Sequence, residues 1–108
     1  MKLWKLNRVS IIVIALMIFA CGGPEEKKMK FFDKGKVLYE KGDYVEAGLE
    51  FKNAIQIDPK FAEAYHMLGM VELKQKNFQQ AYGLFLKAAE LAPENLDTHI
   101  QIGRILVA

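Results

Sequence analysis

Cys21, His66 and His99 are the side chains in this sequence best suited to nucleophilic, general-base or metal chemistry. None of them has the neighbours that such chemistry requires. Cys21 is the sole cysteine, so it has no internal disulfide partner and cannot belong to a cysteine-rich metal site. What remains open to a lone thiol is nucleophilic attack through its thiolate, and hence a role as an attachment point. His66 and His99 lie in stretches of helical apolar periodicity, where a packing or surface-lining role outweighs a metal or base role. The same holds for Met67 and Met70, which read as core and wall rather than as a cofactor box. The glycines recur at a fixed spacing and form no phosphate-binding loop. The expectation is a non-enzymatic chain with no catalytic set, no cofactor and no metal.

The bulk composition agrees with a small folded unit. A chain of 108 residues suffices for one domain or a short repeat array. It is 52% hydrophobic and 26% charged, which is neither a disordered nor a multi-span membrane composition. The net charge of +2 is unevenly placed, because Lys2, Lys5 and Arg8 precede the apolar run while 12 basic and 13 acidic residues share the remainder. A nearly neutral body lacks the basic footprint of a nucleic-acid binder.

The apolar run Ile11–Ala20, IIVIALMIFA, is ten residues long. As a helix it would cover about half of a ~30 Å hydrocarbon core, too little for a comfortable span. Behind a basic start it fits an export signal over residues 1–20. Its end, IFAC, resembles the lipobox of bacterial lipoproteins through Ile18, Ala20 and Cys21, with Phe19 bulkier than the pattern prefers. The resemblance implies a diacylglyceryl group on Cys21, cleavage after Ala20, and a membrane anchor of two or more acyl chains. Gly22, where an aspartate often retains lipoproteins at the inner membrane, leans toward the outer membrane and a periplasm-facing domain. A free cysteine behind a signal cut elsewhere and an uncleaved signal anchor are the competing readings. Residues 21–28, CGGPEEKK, read as the lipidated cysteine and a tether, with Lys27, Lys28 and Lys30 as a solvated helix start.

The rest of the chain repeats itself with a period of 34 residues. At this offset Gly35 meets Gly69, Val37 meets Val71, Ala47 meets Ala81, Phe51 meets Phe85, Ala54 meets Ala88 and Pro59 meets Pro93. A further step places Gly103 under Gly69 and Ile102 under Leu68. Each unit reads as two helices. Gly42 can adopt the left-handed conformation that ends a helix, Asp43 can cap the next one, and Asn77 marks the matching turn. Pro59 and Pro93 punctuate the unit ends. The pattern resembles the tetratricopeptide repeat, most fully over residues 62–95. Lys34 and Glu72 depart from it, standing where the family favours leucine and tyrosine. The resemblance implies an all-α fold of antiparallel helix-turn-helix repeats, an α-solenoid behind the N-terminal signal segment. Repeats are expected at 29–61 and 62–95, with a third, incomplete one at 96–108. Its apolar residues Ile100, Ile102, Ile105, Leu106 and Val107 lack the polar character of a capping helix, which suggests a fragment of a longer array or self-association through that helix.

In this family the first helix of each repeat lines a concave groove that binds peptides or helices. By resemblance the inward side chains are Phe32, Lys36 and Tyr39, then His66, Met70 and Leu73, then Ile100 and Arg104. The surface mixes apolar and basic groups and suits a segment bearing an acidic residue. The family's carboxylate clamp is not expected, because Phe32, Met67, Asp97 and Gln101 occupy most of its places. The leading expectation is a membrane-anchored scaffold that gathers proteins of a bacterial envelope complex, of the kind found with exopolysaccharide and protein-sorting systems. The alternative is an accessory segment of an envelope enzyme whose catalytic domain lies beyond residue 108. The anchor reading predicts that Cys21→Ala abolishes palmitate incorporation and releases the protein from the membrane fraction. Undiminished labelling of the variant would refute it.

Overall fold

A computed structural model describes residues 23–108. Its elements are five helices: α1 Pro24–Glu40, α2 Tyr44–Ile57, α3 Ala62–Lys74, α4 Phe78–Leu91 and α5 Leu96–Val107. No strand occurs among the described residues. The helices pair as α1 with α2 and α3 with α4, each pair stacks on the next, and α5 packs on α4. This is the all-helical solenoid the repeat implied. The lipobox and the signal segment lie outside the described residues.

Helix α1 starts earlier than the tether reading of residues 21–28 allowed. Pro24 occupies its first turn, where a missing N–H costs nothing, and Glu25 and Glu26 follow in the same turn. The helical start is then pinned from outside. Lys28 Nζ donates to Asp58 Oδ2 at 2.7 Å and sits 4.8 Å from the centre of the Phe61 ring. Lys28 is therefore not a solvated residue, and its side chain is only 12% exposed. The bond to Asp58 raises the Lys28 pKa, and the same bond lowers that of Asp58.

The turns within the two pairs are built alike, bond for bond. After α1, Gly42 N donates to Tyr39 O at 3.0 Å and Asp43 N to Leu38 O at 2.9 Å. After α3, Lys76 N donates to Leu73 O at 3.0 Å and Asn77 N to Glu72 O at 2.8 Å. Both are helix ends of the Schellman type, which need a left-handed residue. Gly42 supplies it at φ 84°, as its sequence position implied, but the second turn uses Lys76 at φ 64°. Asp43 and Asn77 do stand at the N-caps of α2 and α4, yet neither side chain makes a capping bond. The Asn77 amide instead donates to Glu72 Oε2 at 2.7 Å, which gives the departing Glu72 a turn-bracing role.

Each pair closes on a phenylalanine laid over a glycine. A Cβ added at Gly35 would lie 2.6 Å from the Phe51 ring, and one at Gly69 would lie 2.8 Å from the Phe85 ring. Phe51, Phe85, Ala47, Ala54, Ala81 and Ala88 are fully or almost fully buried. Between pairs, α2 meets α3 at Gly48, where an added Cβ would sit 3.3 Å from Val71. Phe32 joins this core, tilted against Phe51 and Phe61 with ring centres 5.7 and 4.9 Å away.

The outer edge of the first pair is charged. Lys34 and Glu50 stand one period before Leu68 and Leu84, and their side chains approach to 3.5 Å. Leu68 is buried, while Lys34 is exposed, so the charge marks a face that meets solvent. Two outcomes test this packing. Gly69→Leu should destabilise the fold by about 1–3 kcal/mol, because the leucine must displace the Phe85 ring. An unchanged unfolding midpoint would contradict the Gly69–Phe85 contact. Lys76→Gly should instead stabilise it by about 0.5–1 kcal/mol by removing the Cβ strain of a left-handed residue. A lowered midpoint would show that the lysine side chain contributes more than its backbone costs.

Candidate functional site

Helices α1, α3 and α5 share one side of the stack, and a pocket of about 290 Å³ opens there. Phe32 and Lys36 come from neighbouring turns of α1, and Glu63, His66 and Met67 come from α3. Asn95 and Asp97 close it from the start of α5. The floor is apolar: Phe32 is buried and Met67 half-buried. Lys36 forms one lip, its Nζ 5.1 Å from the centre of the Phe32 ring. Glu63 and Asp97 form another, and they occupy the same position of successive repeats. Among the described residues neither carboxylate is within ion-pairing distance of a basic group.

His66 is held between the pocket and the interior. Its Nδ1 lies 2.8 Å from Thr98 Oγ1, and its ring stands edge-on to Phe85 with centres 5.4 Å apart. Thr98 is completely buried, and its backbone N–H donates to the capping side chain of Asn95 at 3.3 Å. Burial lowers the His66 pKa, and nearby Asp97 opposes that shift. A neutral imidazole at pH 7 follows, consistent with a wall and brace rather than a charged contact.

The structure brings together only part of the expected groove set. Phe32, Lys36 and His66 share the pocket. Phe32 is a core residue that shows the pocket only an edge, being 4% exposed, because Phe51 and Phe61 enclose its ring. Tyr39 turns toward Tyr44, with ring centres 5.4 Å apart, and lies outside the pocket. Met70 and Leu73 are half-buried farther along α3, and Ile100 and Arg104 are exposed on α5. The pocket lining omits all four. Glu63 and Asn95 escaped the sequence reasoning. A signal for Glu63 was present: Glu63 and Asp97 are one period apart at matching helix starts. The pocket is thus not merely apolar and basic, since it carries two carboxylates.

His99 is not the counterpart of His66. It repeats Tyr65, and both side chains close onto the preceding proline: Tyr65 Oη donates to Pro59 O at 2.9 Å, and His99 Nε2 to Pro93 O at 2.8 Å. A second cleft, of about 350 Å³, lies between α2 and α3 and is lined by Val45, Leu49, Val71 and Gln75 among others. No group of three or more potential metal ligands occurs among the described residues. No described helix is long and apolar enough to cross a membrane.

A stack of antiparallel helix pairs with glycine–phenylalanine closures defines an α-solenoid. Two family models match it, "TPR repeat" over residues 35–76 and "Tetratricopeptide repeat" over residues 62–95. Residues 35–95 of this chain are tetratricopeptide repeats. Among solved structures, the Arabidopsis OM64 TPR domain superposes with a TM-score of 0.74 at 23% identity, covering 77% of this chain and 69% of that one. The TPR2AB domain of yeast Sti1, in a complex with pHSP90, gives 0.74 at 23% identity, covering 97% and 40%. Among curated proteins, peroxisome biogenesis protein 5 of Arabidopsis thaliana is 30% identical over 82 residues, 76% of this chain and 11% of the relative. The mouse protein O-mannosyl-transferase TMTC3 is 26% identical over 69 residues, 64% of this chain and 8% of the relative. The chain thus spans about a tenth of the length of these relatives.

Proposed function

We propose that this chain is a docking scaffold whose pocket between α1, α3 and α5 seats a side chain from a partner protein. The pocket itself carries the reading. An apolar floor of Phe32 and Met67 lies beside an imidazole held in place by Thr98, with opposite charges on separate lips. Such a site anchors an apolar side chain and orients what flanks it. Glu63 and Asp97 select a cationic group on their side, whereas Lys36 tolerates an acidic or carbonyl group on its own. This replaces the acidic partner segment expected from the sequence. The presence of a related repeat domain in the Sti1–pHSP90 complex supports a protein partner.

The scaffold acts from a membrane surface in this reading. Lipid on Cys21 holds the repeats at the periplasmic face of a bacterial envelope, the outer membrane in preference to the inner one. The helix beginning at Pro24 leaves only Gly22 and Gly23 between the anchor and the array. A short tether of this kind keeps the groove near the bilayer and concentrates partners there.

Selection from a random peptide library displayed against the protein tests the groove. The enriched peptides should pair an apolar residue with a nearby lysine or arginine. The double variant Glu63→Lys, Asp97→Lys should weaken them at least ~10-fold, as expected when like charges face each other. Binders indifferent to this charge reversal would place the docking site elsewhere.

A further inference from the structure

The His66 ring carries two nitrogens, and the fold occupies only one of them. Nδ1 lies 2.8 Å from Thr98 Oγ1. The threonine decides which of these two atoms carries the proton between them. Thr98 has no exposed surface, and its hydroxyl has no other hydrogen-bond partner among the described residues. Asn95 Oδ1 receives the Thr98 backbone N–H, not the hydroxyl. A neutral imidazole offers one N–H and one acceptor nitrogen. A protonated Nδ1 would donate to Oγ1 and leave the hydroxyl proton buried without an acceptor, a state that folded proteins avoid. With the hydroxyl donating to Nδ1 both groups are satisfied, and the ring proton sits on Nε2. That nitrogen has no partner among the described residues. It is open to solvent, because Glu50 Oε2 is the one described side-chain atom both buried and unpartnered. The pair is no product of the repeat. One period away His66 is replaced by Phe32 and Ile100, and Thr98 by Ala64.

We infer that Thr98 fixes His66 as the Nε2–H tautomer, and that His66 donates from the pocket wall to a backbone carbonyl of the partner segment. The second half of this role rests on the docking function proposed above. The acceptor is neutral, because Glu63 and Asp97 line the same pocket and repel a carboxylate. It must also be free, and carbonyls in the body of a helix are already bonded within it. A carbonyl beside the anchoring side chain of a non-helical segment meets both conditions. His66 is then the residue that determines specificity for a main-chain acceptor. Thr98 is a positioning residue that acts through it. Phe85, edge-on to the imidazole at 5.4 Å between centres, packs against the ring whose proton Thr98 places.

Nitrogen NMR of the imidazole in the full chain tests the tautomer without any ligand. His99→Gln leaves His66 as the sole histidine to be observed. At neutral pH Nε2 should carry the proton and Nδ1 should appear as a hydrogen-bonded acceptor. Thr98→Ser should keep this spectrum, and Thr98→Val should shift Nδ1 and admit the other tautomer. A predominantly Nδ1-protonated ring in the unchanged Thr98 background would overturn the inference, and that spectrum decides the matter even where Thr98→Val fails to fold. Titration with a blocked dipeptide, N-acetyl-leucyl-arginine N-methylamide, tests the donor. The Met67 methyl signal reports occupancy of the pocket, and the His66 Nε2–H signal should move with it. His66→Asn, which has no group at the Nε2 position, should weaken binding about 3- to 10-fold, the loss expected for one hydrogen bond. His66→Gln, whose amide reaches that position, should restore most of it. Equal affinities of the two variants, with Met67 still responding, would overturn the inference while leaving the docking function intact. A silent Met67 signal would overturn the docking function, and with it the carbonyl acceptor.

Discussion

A phenylalanine ring resting on the backbone of a facing glycine is the contact on which this structure depends. It occurs as Phe51 on Gly35 and Phe85 on Gly69. The glycine allows an approach that no side chain permits, and the ring supplies the apolar area that makes the approach favourable. The alanines one turn to either side of each phenylalanine are buried for the same reason. Once two helices meet at this distance, their crossing, their turn length and the exposure of the remaining faces are largely set. A single pair cannot bury its apolar surface alone, so pairs stack, and Gly48 against Val71 repeats the close approach between units.

The turns carry the second constraint. Both helix ends inside the pairs use the same two backbone bonds and a left-handed residue between them. Retention of this geometry at Lys76, without a glycine, shows that pairing governs the turn rather than the reverse. The contacts between the helices stabilise more than one strained residue costs. Side-chain caps at Asp43 and Asn77 are dispensable on the same grounds, since the chain reversal is already determined.

Stacking also makes the pocket. Its lining comes from three helices separated by whole repeats, so it exists only when the pairs are assembled. Thr98 links the layers: its backbone N–H donates to the N-cap side chain of Asn95, and its hydroxyl meets His66 of α3. A polar group this deeply buried must be satisfied, and here its partner is a groove-wall side chain. The orientation of the wall is thereby coupled to the packing of α5.

The sequence by itself determined the elements whose signals are local or periodic. Apolar spacing along single helices, the recurrence of Gly35 and Phe51 as Gly69 and Phe85, and the turn at Gly42 all follow from residue types at fixed distances. The tertiary structure alone decided what depends on neighbours across the stack. Lys28 reads as a solvated lysine until Asp58 and Phe61 are brought beside it, and Phe32 reads as a groove residue until Phe51 and Phe61 enclose it. Glu63, Asn95 and Asp97 converge with Lys36 because successive pairs are stacked on one another. That stacking is the sum of many side-chain contacts between layers, so no single stretch of sequence encodes it. The anchor proposed at Cys21 stands apart from both, for the proposal rests on local sequence chemistry alone.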